Sequence, residues 1–171
     1  MADLDRIWAG WRHEYVAGLY QLPAGEGSLF ERILESGLPD EETFIVWRGE
    51  SCFAILNAYP YTSGHLMVVP FRPAIDLADL GETDGAELWR AVGWAVAAIQ
   101  AAYQPDGMNV GLNLGRAGGA GIPDHLHVHC LPRWAGDTNF TTTTAMTRVM
   151  PEPLDESWRR LRDSWPEIDQ N

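Results

Sequence analysis

The chain has 171 residues, enough for one sizeable core and short for two, and 24 acidic residues against 12 basic ones give it a formal net charge of −12 at pH 7. All twelve basic residues are arginine, so a lysine Schiff base of the pyridoxal type and the lysine of a phosphate-binding Walker loop are both excluded. The acid excess, without a basic stripe, also argues against tracking of DNA or RNA backbones, which rests on clustered cations that neutralise phosphates.

The N-terminus, Met1-Ala2-Asp3-Leu4-Asp5, is acidic where a signal peptide is basic, and no apolar run approaches the ~18 residues of a membrane span. Cys52 and Cys130 lie far apart and form no Cys-x-x-Cys, so neither a disulfide framework nor a standard structural zinc site can be read from them. The expectation is a soluble, cytoplasmic protein with no nucleic-acid or membrane partner.

From Leu4, the residues Ile7, Trp8, Trp11 and Tyr15 follow helical spacing up to Gly18, predicting an opening amphipathic helix. Ser28-Leu29-Phe30-Glu31 has the spacing of a capping box ahead of Ile33 and Leu34 and predicts a short second helix. Strand-like runs follow at Thr43 to Trp47, Cys52 to Leu56 and His65 to Val69, the last two joined by the turn-rich Asn57 to Gly64. An antiparallel meander is the simplest arrangement. Leu88, Val92, Ala95, Ile99 and Ala102 recur at steps of three and four, predicting a long helix between Thr83 and Tyr103 that Gln104-Pro105-Asp106-Gly107 ends. Met108 to Leu114 reads as a strand, Gly115 to Pro123 as a loop with four glycines, and His125 to Leu131 as another strand. Thr141 to Thr144 is a polar run with strand propensity, and Leu154, Trp158, Leu161 and Trp165 mark a last helix stopped by Pro166. Strands in blocks between helices, without regular alternation, indicate an α+β fold.

Three of the five histidines lie in Asp124-His125-Leu126-His127-Val128-His129-Cys130-Leu131. On a strand their strict alternation with Leu126, Val128 and Cys130 puts all three imidazoles on one side and the apolar residues on the other. A half-exposed strand with histidine on its polar face is the plain alternative, and three in register plus His65 count against it. A shared metal is limited by geometry: at ~3.3 Å per residue the backbones of His125 and His129 are about 13 Å apart, whereas zinc ligands lie within ~2.1 Å of the ion. A Cys130 nucleophile fails because its side chain points away from His129; Cys130 and Cys52 read as buried filler. What remains is a histidine acting as nucleophile itself, for which phosphorus is the electrophile that makes sense.

The run His125-Leu126-His127-Val128-His129-Cys130-Leu131 resembles the His-φ-His-φ-His-φ-φ signature, φ being apolar, of the histidine-triad (HIT) superfamily of nucleotide hydrolases and transferases. The resemblance extends through Phe53-Ala54-Ile55-Leu56-Asn57, Ser63-Gly64-His65-Leu66-Met67-Val68-Val69-Pro70 and Gly111-Leu112-Asn113-Leu114-Gly115, and downstream through Pro132-Arg133-Trp134-Ala135-Gly136-Asp137-Thr138-Asn139-Phe140. The downstream stretch looks most like bacterial diadenosine tetraphosphate phosphorylases. One HIT-like domain over 1–171 is implied, with a core of about 28–140 and helical extensions at both ends, an antiparallel sheet and one long helix.

The resemblance implies that His127 attacks the α-phosphate to form a nucleotidyl-histidine, that His129 contacts the phosphate and assists the leaving group, and that His125 and His65 hold the active imidazole in its orientation and tautomer. It places Asn57 at the ribose and Asn113 beside the phosphates. It implies a homodimer through the long helix and an adjacent strand, no catalytic metal or other cofactor, a nucleotide substrate, and either inorganic phosphate or water as acceptor. A nucleoside phosphoramidase and a non-catalytic nucleotide sensor are the alternatives, with a His-ligated metalloenzyme as a third.

The glycine-rich loop is not a dinucleotide fingerprint, since Gly-x-Gly-x-x-Gly is missing and a strand follows. A plain connection is one reading. The other starts from charge: a protein at −12 that binds a polyphosphate must offset repulsion locally, within a Debye length of ~8 Å. Backbone amides around Gly119 and Gly121, with Arg116, would do so as an anion nest. Trp134 is a candidate nucleoside contact or a core residue; Arg133 and Arg72 read as structural ion-pair residues.

Many bacterial HIT proteins carry a structural zinc held by a Cys-x-x-Cys, a later His and the first His of the triad, and here those first three positions read Ser28, Glu31 and Pro73. The segment before the triad, Gly119-Ala120-Gly121-Ile122, also lacks the Gln or Ser that relatives place against the phosphates. The expectation is no zinc, with the capping box of Ser28 and Glu31 taking over part of the metal's role in fixing the N-terminal segment. Elemental analysis of the purified protein should find no stoichiometric zinc; one zinc per chain would contradict this.

Overall fold

The computed structural model describes residues 5–7, 26–137, 147–149 and 152–167. The opening helix expected from Leu4 to Gly18 falls outside these residues except at one point, and there it is corrected: Asp5–Ile7 is a strand, β1, paired in parallel with β7 (Thr147–Val149). Its backbone groups are satisfied across the ladder instead of along a helix. The run Thr141 to Thr144 lies outside the described residues, as does the Thr138-Asn139-Phe140 end of the motif.

Helix α1 (Leu29–Glu35) begins at the predicted capping box: the Ser28 side chain accepts from the Glu31 N–H at 3.2 Å, and Glu31 Oε2 accepts from the Ser28 N–H at 2.7 Å. Thr43, expected from its sequence to start a strand, closes a one-turn helix, α2 (Asp40–Thr43), because its N–H donates to the Pro39 carbonyl at 3.1 Å. Phe44 then turns through a left-handed φ of 59°, and β2 runs Ile45–Arg48. Strands β3 (Cys52–Leu56) and β4 (Leu66–Pro70) complete the antiparallel meander. Helix α3 (Glu82–Tyr103) is the long helix, stopped at Gln104. Strand β5 (Gly107–Leu112), shorter than expected at its C-terminal end, leads through the glycine loop, with a 3-10 turn at Arg116–Gly118, into β6 (Val128–Arg133). Helix α4 (Leu154–Asp163) follows.

The sheet is antiparallel throughout in the order β2-β3-β4-β6-β5, which with its helices is the α+β arrangement expected. Side chains alternate between its faces, and β3 and β4 are apolar at every position because both faces are covered. Cys52, Leu56, Leu66, Val68, Val128 and Cys130 pack with the buried stripe of α3 (Leu88, Ala91, Val92, Ala95, Ala98, Ile99) and with Leu154 and Leu161 of α4. Phe53, Ile55, Met67 and Val69 point the other way, to Phe30 and Ile33 of α1 and to Ile45. Ile122 of the glycine loop packs on this second face, and Trp158 ties α4 to β2 by donating from Nε1 to the Ile45 carbonyl at 2.8 Å. Among the described residues no helix is long and apolar enough to cross a membrane.

Candidate active site

Four histidines meet on the α1 face of the sheet. The β4–β6 register pairs Met67 with His129, so His129 projects to the same side as Met67. His65 enters β4 from Gly64, which is required twice over: its φ is +77°, and a Cβ there would lie 2.6 Å from the Tyr103 ring. The expectation that all three triad histidines sit on a strand needs correction, because β6 starts at Val128 and only His129 belongs to it. His125 and His127 occupy the approach to β6, where the Leu126 N–H is held by the Ala74 carbonyl at 2.7 Å. Their alternation survives, since Leu126, Val128 and Cys130 all enter the α3-side core.

Backbone partners that cannot change protonation state fix each tautomer. His127 Nδ1 lies 2.8 Å from the His125 carbonyl oxygen. That oxygen only accepts, so the proton sits on Nδ1 and the Nε2 lone pair is bare. His65 Nδ1 receives the Tyr61 N–H at 3.2 Å, with the Asn57 amide also near it at 3.4 Å. Asn57 Oδ1 is taken by the Tyr59 N–H at 2.9 Å, which turns the amide nitrogen toward His65. The His65 proton therefore sits on Nε2 and is donated to His129 Nδ1 at 2.9 Å. His129 is left with its own proton on Nε2. The rings of His127 and His129 lie 4.9 Å apart, nearly perpendicular, and the chain thus places a bare nitrogen beside an N–H donor.

Burial keeps His65, His127 and His129 neutral. It pushes His129 down to about 4, with the His127 charge adding to the effect, and it pushes His127 below its ordinary 6.5. His65 falls well below its usual range, again by burial first and then through His129 and His127. The buried thiols of Cys52 and Cys130 are pushed up to about 12, which fits inert filler.

The other sequence-predicted residues are placed less uniformly. Asn57 contacts His65 through its side-chain amide. Asn113 lies beside Gly119, within 4.0 Å of the position a Cβ would take there, and Arg116, Gly119 and Gly121 are exposed on the loop that Ile122 anchors to the histidine side of the sheet. Trp134 packs edge-on to Tyr103 at 6.3 Å, at the end of α3. Arg133 makes the expected ion pair, with Asp137, and donates to Asn109 at 2.7 Å, whereas Arg72 donates to a backbone group, the Asp79 carbonyl, at 2.6 Å.

The family resemblance implies that His125 and His65 jointly orient the active imidazole. In the structure they act on different rings, the His125 backbone orienting His127 and the His65 side chain orienting His129. Two neighbours of the site are not evident from the sequence. Phe30 lies 5.2 Å from the His125 ring and 5.5 Å from that of His127, and the Tyr61 ring lies 4.8 Å from His65 and 6.1 Å from His129. Tyr61 is signalled only by its nearness to His65 along the chain, and Phe30 only by its place inside the capping box.

The residues present do not fit a structural zinc. His125 Nε2 is 2.8 Å from the Pro70 carbonyl and Nδ1 is 2.6 Å from Ser28 Oγ, so both ring nitrogens are engaged. The Glu31 carboxylate accepts from the Ser28 N–H, and Pro73 has no donor side chain. Among the described residues no group of three or more His, Cys, Asp or Glu is placed to hold a metal ion.

Comparison with known proteins points the same way as the motif. A family model for the HIT domain matches residues 39–136. The chain is 41% identical over 166 residues to the AP-4-A phosphorylase of Mycobacterium tuberculosis, a match spanning 95% of this chain and 85% of that protein. Its structure is similar to that of a hypothetical histidine triad nucleotide-binding protein from Sulfolobus tokodaii (TM-score 0.65, 30% identity, 79% of this chain and 89% of that one). It is also similar to a Zn-bound histidine triad family protein from Mycobacterium smegmatis (TM-score 0.66, 27% identity, 81% and 92%).

The lowered histidine pKa values set a pH dependence of stability. A histidine near 6.5 when unfolded and about 4 when folded binds its proton only in the unfolded chain between those values, so its contribution is intact above 6.5 and is lost as pH falls toward 4. Urea unfolding at a series of pH values should show the native protein losing stability over this window, on the order of 2 kcal/mol more than a His129→Asn variant. Parallel curves for the two proteins would contradict the assignment.

Proposed function

The chain belongs to the HIT domain family, and on that premise we propose that it cleaves the phosphoanhydride of dinucleoside polyphosphates such as diadenosine tetraphosphate through a nucleotidyl intermediate on His127. The observation that carries this reading is the pair of opposed tautomers: a bare Nε2 on His127 beside a protonated Nε2 on His129. The His127 lone pair attacks the α-phosphorus, a P–N bond forms, and the P–O bond to the leaving nucleotide breaks. The Nε2–H of His129 donates to the oxygen on which charge develops. His65 holds His129 in that tautomer, and the His125 carbonyl stabilises the Nδ1–H of His127 as its ring becomes positive. In the second step an acceptor oxygen attacks the same phosphorus, the P–N bond breaks, and His127 regains its lone pair.

Inorganic phosphate is the acceptor we favour, supported by the likeness to a protein named AP-4-A phosphorylase over 95% of the chain. Asn113, Arg116 and the amides at Gly119 and Gly121 would receive phosphates, supported by the anchoring of their loop on the histidine side of the sheet. Asn57 and Trp134 remain our candidates for nucleoside contacts. We read 1–171 as one HIT-type unit with a core of about 28–140. The two buried free cysteines support a reducing, cytoplasmic setting. Pairing of two copies through β5 and α3 is supported by β5, whose one partner among the described residues is β6, and by the exposed Val110 and Trp89.

Purified protein incubated with diadenosine tetraphosphate, and analysed by ion-exchange chromatography, should give ADP plus ATP only when inorganic phosphate is present. AMP plus ATP without phosphate would make water the acceptor. His127→Ala should lower kcat by roughly 10³-fold or more while nucleotide binding by calorimetry persists, and near-native turnover by that variant would overturn the mechanism.

A further inference from the structure

The geometry points to Ser28 as a positioning residue for His127, acting through the ring of His125. Its hydroxyl has two partners. Oγ accepts the Glu31 N–H at 3.2 Å, the ordinary role of a helix N-cap, and it also lies 2.6 Å from Nδ1 of His125, a residue 97 positions away in sequence. The direction of the second bond follows from the far side of the ring. His125 Nε2 faces the Pro70 carbonyl oxygen at 2.8 Å, which only accepts, so Nε2 carries the proton and Nδ1 is bare. The Ser28 hydroxyl proton must therefore point at His125. One serine thus accepts from the first turn of α1 and donates to the triad, and it does so where both residues are buried.

The ring of His125 is held at both nitrogens, between the N-cap of α1 and the last residue of β4. The backbone carbonyl of His125 in turn receives the Nδ1–H of His127 at 2.8 Å. Fixing the ring fixes the residue, the carbonyl direction follows, and with it the tautomer that bares His127 Nε2. Phe30, two residues after Ser28, packs against both rings and leaves them little room to rotate. Helix α1 is consequently a wall of the site, held to His125 by a hydroxyl.

The test rests on His127 as the nucleophile and separates the cap from the contact. Glycine serves nearly as well as serine at an N-cap, so Ser28→Gly removes the hydroxyl from His125 with little cost to the helix. Ser28→Thr keeps a hydroxyl, and Glu31→Ala weakens the cap while leaving Ser28 on His125. The readouts are steady-state kinetics with diadenosine tetraphosphate and the side-chain nitrogen NMR signals of His127 in 15N-histidine-labelled full-length protein. Ser28→Gly should lower kcat by about 10- to 100-fold with KM little changed, and should mix the two tautomers of His127. Ser28→Thr and Glu31→Ala should keep kcat within about threefold of the native value and retain the Nδ1–H tautomer. Unchanged His127 signals in Ser28→Gly, or an equal disturbance in Glu31→Ala, would overturn the inference. Ser28→Ala carries the same comparison if the glycine variant does not fold. Should the native protein not cleave the substrate, the proposed function fails, and the NMR comparison still decides the role of Ser28.

Discussion

The carbonyl oxygen of His125 accepts a hydrogen bond and has no proton to exchange, and at 2.8 Å from His127 Nδ1 it decides which nitrogen of that ring is left bare. A backbone amide does the complementary work on the other side. The Tyr61 N–H has only a proton to give, so His65 must accept at Nδ1, donate from Nε2, and leave His129 with its own proton on Nε2. Two neighbouring imidazoles of identical chemistry thereby take opposite roles, one set by a carbonyl and one by an amide. The sheet register, the left-handed turn at Gly64 and the packing of α1 on the second face all serve to bring these two backbone groups to the two rings.

Burial also keeps His65, His127 and His129 uncharged. On the proposed function, a chain of net charge −12 whose His65, His127 and His129 are held neutral has to offset the repulsion of a polyphosphate with short-range donors. The donors we propose for this are the His129 N–H, the amides of the glycine loop and the Arg116 guanidinium. Neutrality suits the role proposed for His127, because a nucleophile must have its lone pair free, and a desolvated imidazole keeps it at neutral pH without needing a base.

Much of this architecture is legible in the sequence, for physical reasons that also explain what is not. The 3.6-residue spacing from Leu88 to Ile99 marks α3, and the period-two alternation around the histidines tells core from chemistry, because each pattern is written in one local segment. The capping box at Ser28 and Glu31 is equally local. The second partner of Ser28 is invisible there, since a hydroxyl that caps a helix looks the same whether or not a histidine 97 residues away needs its proton. Thr43 misleads by its β-branched side chain, which a backbone-closed turn from Pro39 overrides. The separate duties of His125 and His65 are hidden because they run through main-chain groups, and no residue type records a main-chain contact.

On the proposed mechanism His127 carries the nucleotidyl group during turnover. The most direct test is to quench the protein with acid-free denaturant within one turnover of diadenosine tetraphosphate and to map the covalent adduct by mass spectrometry of its peptides. A nucleotidyl group on His127, discharged when the acceptor is supplied and missing in His127→Ala, is the predicted result. Turnover with no adduct at any time point, or an adduct on a different residue, would contradict it.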